Sequence, residues 1–78
     1  MHRQRFTWVD GEHFDSYVSD SDGRARGRVE STSTGTFVAY AWGEHALVGD
    51  RADHRATHHR KESARQWVEA TVAAPVRV

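Results

Sequence analysis

Two sets of side chains in this chain of 78 residues have types and spacings that could support chemistry. The first is a histidine cluster, in which His54 and His58 stand four residues apart, with His59, Asp50 and Asp53 close by. On a helix, the first two histidines would share a face and could hold Zn²⁺ with a carboxylate. The segment lacks helical periodicity, and the glutamate of a His-Glu-x-x-His motif is missing. We therefore expect neither metal ligands nor a cofactor here.

The second set consists of three arginines with period two, which are Arg24, Arg26 and Arg28. On a β-strand their side chains would project from one face at intervals of about 7 Å, close to the spacing of phosphates along a nucleic-acid strand. The alternative is a solvated outer face, with the arginines paired to Asp15 or Glu30 across the sheet. The sequence leaves both interpretations open.

No other constellation of residues predicts catalysis. The serines and threonines cluster in loop segments without a base and an orienting carboxylate, and there is no glycine-rich phosphate loop. Asp20-Ser-Asp-Gly23 begins like a calcium loop but lacks the later ligands and the closing glutamate. We expect a non-enzymatic protein with no catalytic residues and no small-molecule substrate.

Length and composition predict one domain over residues 1–78 with a small core. The chain has no cysteine, which excludes disulfides and thiolate metal sites and favours an intracellular setting. No apolar run has the length of a signal peptide or of a membrane span, so we expect a cytoplasmic protein without a membrane partner. Ten of the eleven basic residues are arginine, a bias typical of high-GC genomes such as those of actinobacteria or their phages.

Charge is balanced overall and unevenly distributed. The formal net charge is zero, so the chain as a whole lacks the basic signature of nucleic-acid binding. Residues 1–23 carry two arginines against five carboxylates, a net charge of −3, and residues 24–78 carry +3. Six histidines, a residue type with an ordinary pKa of about 6.5, make the total charge sensitive to pH near neutrality.

The elements that must position these side chains are short strands followed by one helix. Turn signals and alternating apolar residues predict strands over residues 6–9, 14–19, 24–31 and 36–42, with a short edge strand over 46–48. Residues 49–59 are polar and without periodicity, which predicts a loop. The short spacing between turns predicts an α+β fold with an antiparallel meander of three to five strands.

A C-terminal amphipathic helix is predicted by an apolar stripe at helical spacing, formed by Ala64, Trp67, Val68, Thr71 and Val72. We expect this stripe to pack on one face of the sheet, with Arg65, Gln66 and Glu69 on the other side of the helix. Thr57 and Ser63 are competing N-caps. Pro75 should end the helix, leaving residues 75–78 as a frayed tail.

The strand over residues 36–42 has two faces, one formed by Phe37, Ala39 and Ala41, the other by Val38, Tyr40 and Trp42. If the alanines face the helix, they leave room for Trp67, and Tyr40 and Trp42 form an exposed aromatic stripe of the kind that marks a partner-binding surface. In the alternative, the larger residues form the core and the alanines face solvent. The sequence leaves both arrangements open.

The order of short strands and a helix, with Gly35-Thr-Phe-Val-Ala entering the central strand, resembles the sheet-and-helix DNA-binding modules over residues 24–74. These are the ethylene-response-type domains of plants and the arm-binding domains of phage integrases, which lay their sheet on the major groove and read it with arginines and tryptophans. The resemblance implies a binding module that contacts nucleic acid through the open face of its sheet, and the arginine bias favours a bacterial or phage origin. The contacting side chains would be Arg24, Arg26, Arg28, Tyr40 and Trp42. The alternative is a protein-binding or homodimerising module that uses the Tyr40/Trp42 stripe or an edge strand.

Overall fold

A five-stranded antiparallel sheet with one helix on one face forms the structure, a computed structural model that describes residues 5–44, 46–47 and 49–73. The elements are β1 (Phe6–Val9), β2 (Phe14–Ser19), β3 (Ala25–Ser31), β4 (Phe37–Ala41), β5 (His54–His58) and α1 (Lys61–Ala73). Each strand pairs with its neighbour in sequence, in the order β1-β2-β3-β4-β5. The predicted α+β meander with a C-terminal helix is confirmed, with five strands.

Two tight turns connect β2 to β3 and β3 to β4. Gly23 and Gly35 adopt positive φ angles of 70° and 82°, which glycine reaches without a steric penalty. In the first turn the Gly23 N–H donates to the Ser19 carbonyl oxygen at 2.8 Å, and in the second the Thr32 N–H donates to the Thr36 carbonyl oxygen at 2.9 Å. Both reversals lie where the sequence predicted them.

The segment predicted as a loop contains the fifth strand. β5 pairs antiparallel with β4, from Phe37 opposite His58 to Ala41 opposite His54. The prediction of a loop over residues 49–59 is therefore wrong for 54–58, because pairing with the free side of β4 outweighs a weak local pattern. β5 also replaces the predicted edge strand over 46–48: Ala46 and Leu47 are not in a strand, and Val48 lies outside the described residues.

The helix begins at Lys61, and its first turn is closed by the Ala64 N–H donating to the Arg60 carbonyl oxygen at 3.1 Å. Neither predicted N-cap is correct, since Thr57 belongs to β5 and Ser63 lies inside the first turn. The predicted stop at Pro75 and the tail over 75–78 fall outside the described residues. Within the described ranges, no helix is long and apolar enough to cross a bilayer.

The core lies between the helix and the middle strands. Ala64 and Val68 of the predicted apolar stripe are fully buried against Val29 and Ala39, with larger, partly buried side chains around them. Gly27 makes this close approach feasible, because a Cβ built there would overlap the Val68 side chain. The helix therefore rests on a floor of small residues.

The structure decides between the two predicted orientations of β4. Ala39 packs in the core against the helix, so Phe37, Ala39 and Ala41 form the helix-side row of the strand. Tyr40 and Trp42 point to the opposite side, which we call the open face. The alternative with Tyr40 and Trp42 in the core is wrong, because Ala39 and Ala41 are buried on the helix side while Tyr40 and Trp42 are partly exposed on the other.

Candidate functional site

The open face carries a cluster of aromatic rings around one arginine. The guanidinium carbon of Arg28 lies 4.9 Å from the ring centre of Phe14 and 5.5 Å from those of Tyr40 and Trp42. Arg55 lies 5.8 Å from the ring centre of Tyr40. We call these five residues the aromatic–arginine cluster. Because a guanidinium over a ring is attracted by the π electrons, by about 0.5–1 kcal/mol at exposed sites, each contact helps to hold the arginines in place.

Strand register brings the cluster together. Ser16, Arg28, Tyr40 and Arg55 are opposite one another in a row across β2, β3, β4 and β5. Residues in one row of a sheet project to the same face, so this register places Arg28 and Arg55 on either side of Tyr40. Trp42 follows two residues after Tyr40, with the two ring centres 6.2 Å apart.

Arg28 is only weakly neutralised. Its Nε lies 3.3 Å from Glu30 Oε1, and the two side chains are 34% and 36% exposed. Nε is buried and has no hydrogen-bond acceptor in the part of the chain that the structure describes. A half-exposed ion pair of this kind contributes at most about 1 kcal/mol, so Arg28 remains available to an anion. The predicted pairing with Glu30 is thus present at this arginine, whereas Asp15 lies on the helix side.

The three predicted arginines do not form an evenly spaced row. The register shifts opposite Tyr17 and Val18, which pair with Gly27 and Ala25, so Arg26 is an extra residue in β3. Such a bulge interrupts the alternation of side chains along a strand. The Arg26 Nε donates to the Trp42 carbonyl oxygen at 3.0 Å. Among the three, Arg28 belongs to the cluster, Arg26 braces the backbone after β4, and the exposed Arg24 precedes the strand.

A groove of about 530 Å³ runs beside the cluster. Its walls are the β2–β3 side, with Arg24, Arg26 and Arg28, and residues 42–44, 46–47 and 49–50, with Glu44 and Leu47. Trp42 also lines the groove, and its indole Nε1 donates to the Asp50 carbonyl oxygen at 2.9 Å. That hydrogen bond ties Asp50 to Trp42, the residue that follows β4, and fixes the edge of the indole. The groove therefore combines a positioned aromatic ring with three arginines.

The strand conformation of β5 separates the two histidines of the cluster. In β5, four residues along a strand separate His54 from His58 by about 13 Å, far more than one helical turn would. No group of three or more His, Asp or Glu side chains within the described residues is arranged to hold a metal ion. His58 instead faces α1, where its ring centre lies 6.3 Å from that of Trp67.

A buried carboxylate on the helix side was not predicted. Asp15 is 3% exposed, and its Oδ2 accepts hydrogen bonds from Lys61 Nζ at 2.8 Å and from Arg65 Nη2 at 2.7 Å. Burial by itself raises the pKa of Asp15, but the hydrogen bonds from Lys61 and Arg65 and their positive charges outweigh it, so the pKa lies below its usual value of 3.8. Asp15 shares a strand face with Tyr17, and this period-two relationship was the available signal for its burial.

Arg65 and Glu69 also differ from their predicted position on the outer side of α1. The Trp8 indole Nε1 donates to Glu69 Oε2 at 2.8 Å, and the Arg65 guanidinium carbon lies 4.6 Å from the Trp8 ring centre. Arg65 also bonds Asp10. Because β1 and β2 extend sideways beyond the helix, these long side chains reach down to the sheet. They anchor the helix rather than forming part of the open face.

Compared with known proteins, the chain matches no family model, none of the curated proteins and none of the solved structures. The site is therefore interpreted from its own residues and geometry.

Proposed function

We propose that this protein is a non-enzymatic module that binds nucleic acid through the open face of its sheet. The observation that supports this proposal most directly is Arg28, whose guanidinium group lies among the rings of Phe14, Tyr40 and Trp42. Protein surfaces that bind nucleic acid combine basic side chains, which contact the phosphates, with aromatic rings on which bases stack. An aromatic ring and an arginine within one nucleotide's reach provide both.

The charge distribution favours the same face. Residues 24–78, which contain β3, β4 and β5, have a net charge of +3, and they supply Arg24, Arg28 and Arg55. Glu30 and Glu44 lie nearby and oppose these cations. If about three phosphates are neutralised, the logarithm of the affinity should fall with the logarithm of the salt concentration at a slope of about −2 to −3. Binding should therefore be detectable at low salt and weak at high salt.

Removing Arg28 tests the proposal. We expect Arg28→Ala to weaken binding about tenfold, because the substitution removes a phosphate contact and releases the surrounding rings. The measurement is fluorescence anisotropy of labelled oligonucleotides over a salt series at pH 6. Arg60→Ala is the matched control, since Arg60 is exposed just before α1 and does not line the groove.

Arg60→Ala removes one positive charge, as Arg28→Ala does, but it should change the affinity by less than about twofold. Equal effects of the two substitutions would show that only net charge matters and would contradict binding by this face. Undetectable binding to DNA and RNA at low salt and pH 6 would refute the proposal itself.

A protein partner or a second copy of the chain is the alternative, favoured by exposed apolar side chains at the groove. Phe14 is 40% exposed and Leu47 is 66% exposed. A partner bound through these side chains, or through the outer edge of β5, would be held mainly by apolar contacts and backbone pairing. Such binding should depend little on salt and should survive Arg28→Ala. Sedimentation of the chain alone over a concentration series detects the homodimer.

A further inference from the structure

We infer that the groove beside the aromatic–arginine cluster accepts an unpaired nucleic-acid strand in preference to a duplex, an inference that rests on the proposed nucleic-acid binding. The groove has the size, the stacking surface and the cations for one or two nucleotides of a single strand. Each of these properties comes from described residues. Together they favour a single strand over a duplex.

Shape is the first argument. The cavity of about 530 Å³ lies between the β2–β3 side of the sheet and residues 42–44, 46–47 and 49–50. This volume is typical of sites that enclose a molecule of several hundred daltons, the size of one or two nucleotides. In a duplex the faces of the bases are covered by their neighbours in the stack, so a duplex would contact only the rim. An unpaired base can enter the groove and expose its face to a ring.

The position of Trp42 is the second argument. Its indole lines the groove and is held at one edge by the Asp50 carbonyl oxygen, so the ring is oriented before any ligand binds. Asp50 also accepts the Leu47 N–H through Oδ2 at 2.7 Å, which fixes the neighbouring apolar residue. An aromatic ring that is already positioned loses little entropy when a base stacks on it. Trp42 and Leu47 together supply an apolar surface on which the base can stack.

The third argument is the arrangement of charge around the apolar surface of Trp42 and Leu47. The Arg28 guanidinium lies 5.5 Å from the Trp42 ring centre, and Arg24 lines the same groove. A base on Trp42 would therefore place its own phosphate within reach of a cation. Glu44 also lines the groove and would repel that phosphate, so Glu44→Gln should tighten binding. An affinity change on removal of this carboxylate that is larger than the change in Arg60→Ala would indicate a ligand in the groove.

The experiment compares a single-stranded oligonucleotide with the blunt duplex of the same sequence at one low salt concentration, using anisotropy of a terminal label. We expect the single strand to bind about tenfold more tightly. Trp42→Leu should weaken single-strand binding about tenfold by removing the stacking ring, while duplex binding changes little. Glu44→Gln should strengthen single-strand binding about twofold.

Leu47→Asn provides a second variant in case Trp42→Leu disturbs the fold, because the Leu47 side chain is largely exposed. It should weaken single-strand binding about threefold. Equal or tighter binding of the duplex, with Arg28→Ala weakening both forms, would overturn the inference and leave the proposed function standing. An unchanged single-strand affinity in Leu47→Asn and Glu44→Gln would also overturn it. Failure of both nucleic acids to bind would overturn the proposed function.

Discussion

The two faces of the sheet differ in side-chain size at the middle strands. Directly beneath the helix, Gly27, Val29 and Ala39 form the floor against which Val68 is completely buried, and the larger Tyr17 and Phe37 pack around it. On the open face, the same middle strands carry Arg28 and Tyr40. A close helix requires small residues directly beneath it, and Tyr40 and Trp42 lie on the opposite face. A chain this short gains little stability beyond its entropy cost, so aromatic rings outside the core are better explained by binding than by folding.

Replacing one tryptophan by alanine on each face should separate the folding role of the helix side from the binding role of the open face most clearly. Trp67→Ala removes a partly buried indole packed at the core and should lower the free energy of unfolding by about 3 kcal/mol. Trp42→Ala removes one hydrogen bond and one cation–π contact on the open face and should cost about 1 kcal/mol. Urea unfolding of both variants measures the difference. Equal losses would mean that the open face is part of the core.

Close packing beneath the helix is tested at Gly27. Gly27→Ala places a methyl group against the Val68 side chain and should destabilise the protein by about 2 kcal/mol. Val68→Ala should cost about 2 kcal/mol through lost burial. In the double variant the smaller side chain makes room for the methyl group, so the combined loss should be smaller than the sum by about 1 kcal/mol. Strictly additive losses in urea unfolding would show that the two residues are not in contact.

The ionic anchor at the side of the helix has a smaller and pH-dependent effect. The pKa of Asp15 is lower in the folded protein than its usual value of 3.8, so its contribution to stability is fully present above that value. The contribution is lost as pH falls below 3.8 through the folded pKa, because the unfolded chain then binds more protons. Asp15→Asn should lower the free energy of unfolding by about 1–2 kcal/mol at pH 7, since Lys61 and Arg65 lose their charged acceptor.

Asp10→Asn is the control for this measurement, because Asp10 bonds the same Arg65 but its side chain is 79% exposed. It should change the stability by less than about 0.5 kcal/mol. Urea unfolding at pH 7 and below pH 3 should show the gap between wild type and Asp15→Asn closing with acid. A gap that stays constant with pH would contradict the ionic role of Asp15.

The sequence predicts the centre of the fold because two independent periodicities agree there. Residues 36–42 alternate with period two, and the stripe from Ala64 to Val72 has helical period, so both elements and their contact follow. The sequence pattern does not predict β5, in which Ala56 is the one apolar residue. β5 forms because it pairs with the free edge of β4, and this tertiary interaction leaves no pattern in the local sequence.

Part of the candidate site follows from the sequence in the same way. Tyr40 and Trp42 share a face by alternation alone, and Arg28 joins them once β3 and β4 are paired. The even spacing of the three arginines is lost, although all three line the groove, because the bulge at Arg26 breaks the alternation, and a bulge is a property of two paired strands. The groove depends on Trp42 bonding the backbone of Asp50, a contact between loop residues without periodicity.

The nearest-neighbour order of the sheet has a consequence for how the chain acquires its structure. Since every strand pairs with the one before it, each hairpin encloses a short stretch of chain, and the entropy lost in closing it is small. Strands can be added one at a time from the amino-terminal end, and α1 can then pack on a sheet that has already formed. Topologies dominated by such local pairings fold faster than those with distant ones. Assembly of this sheet should therefore proceed without a slow search for remote partners.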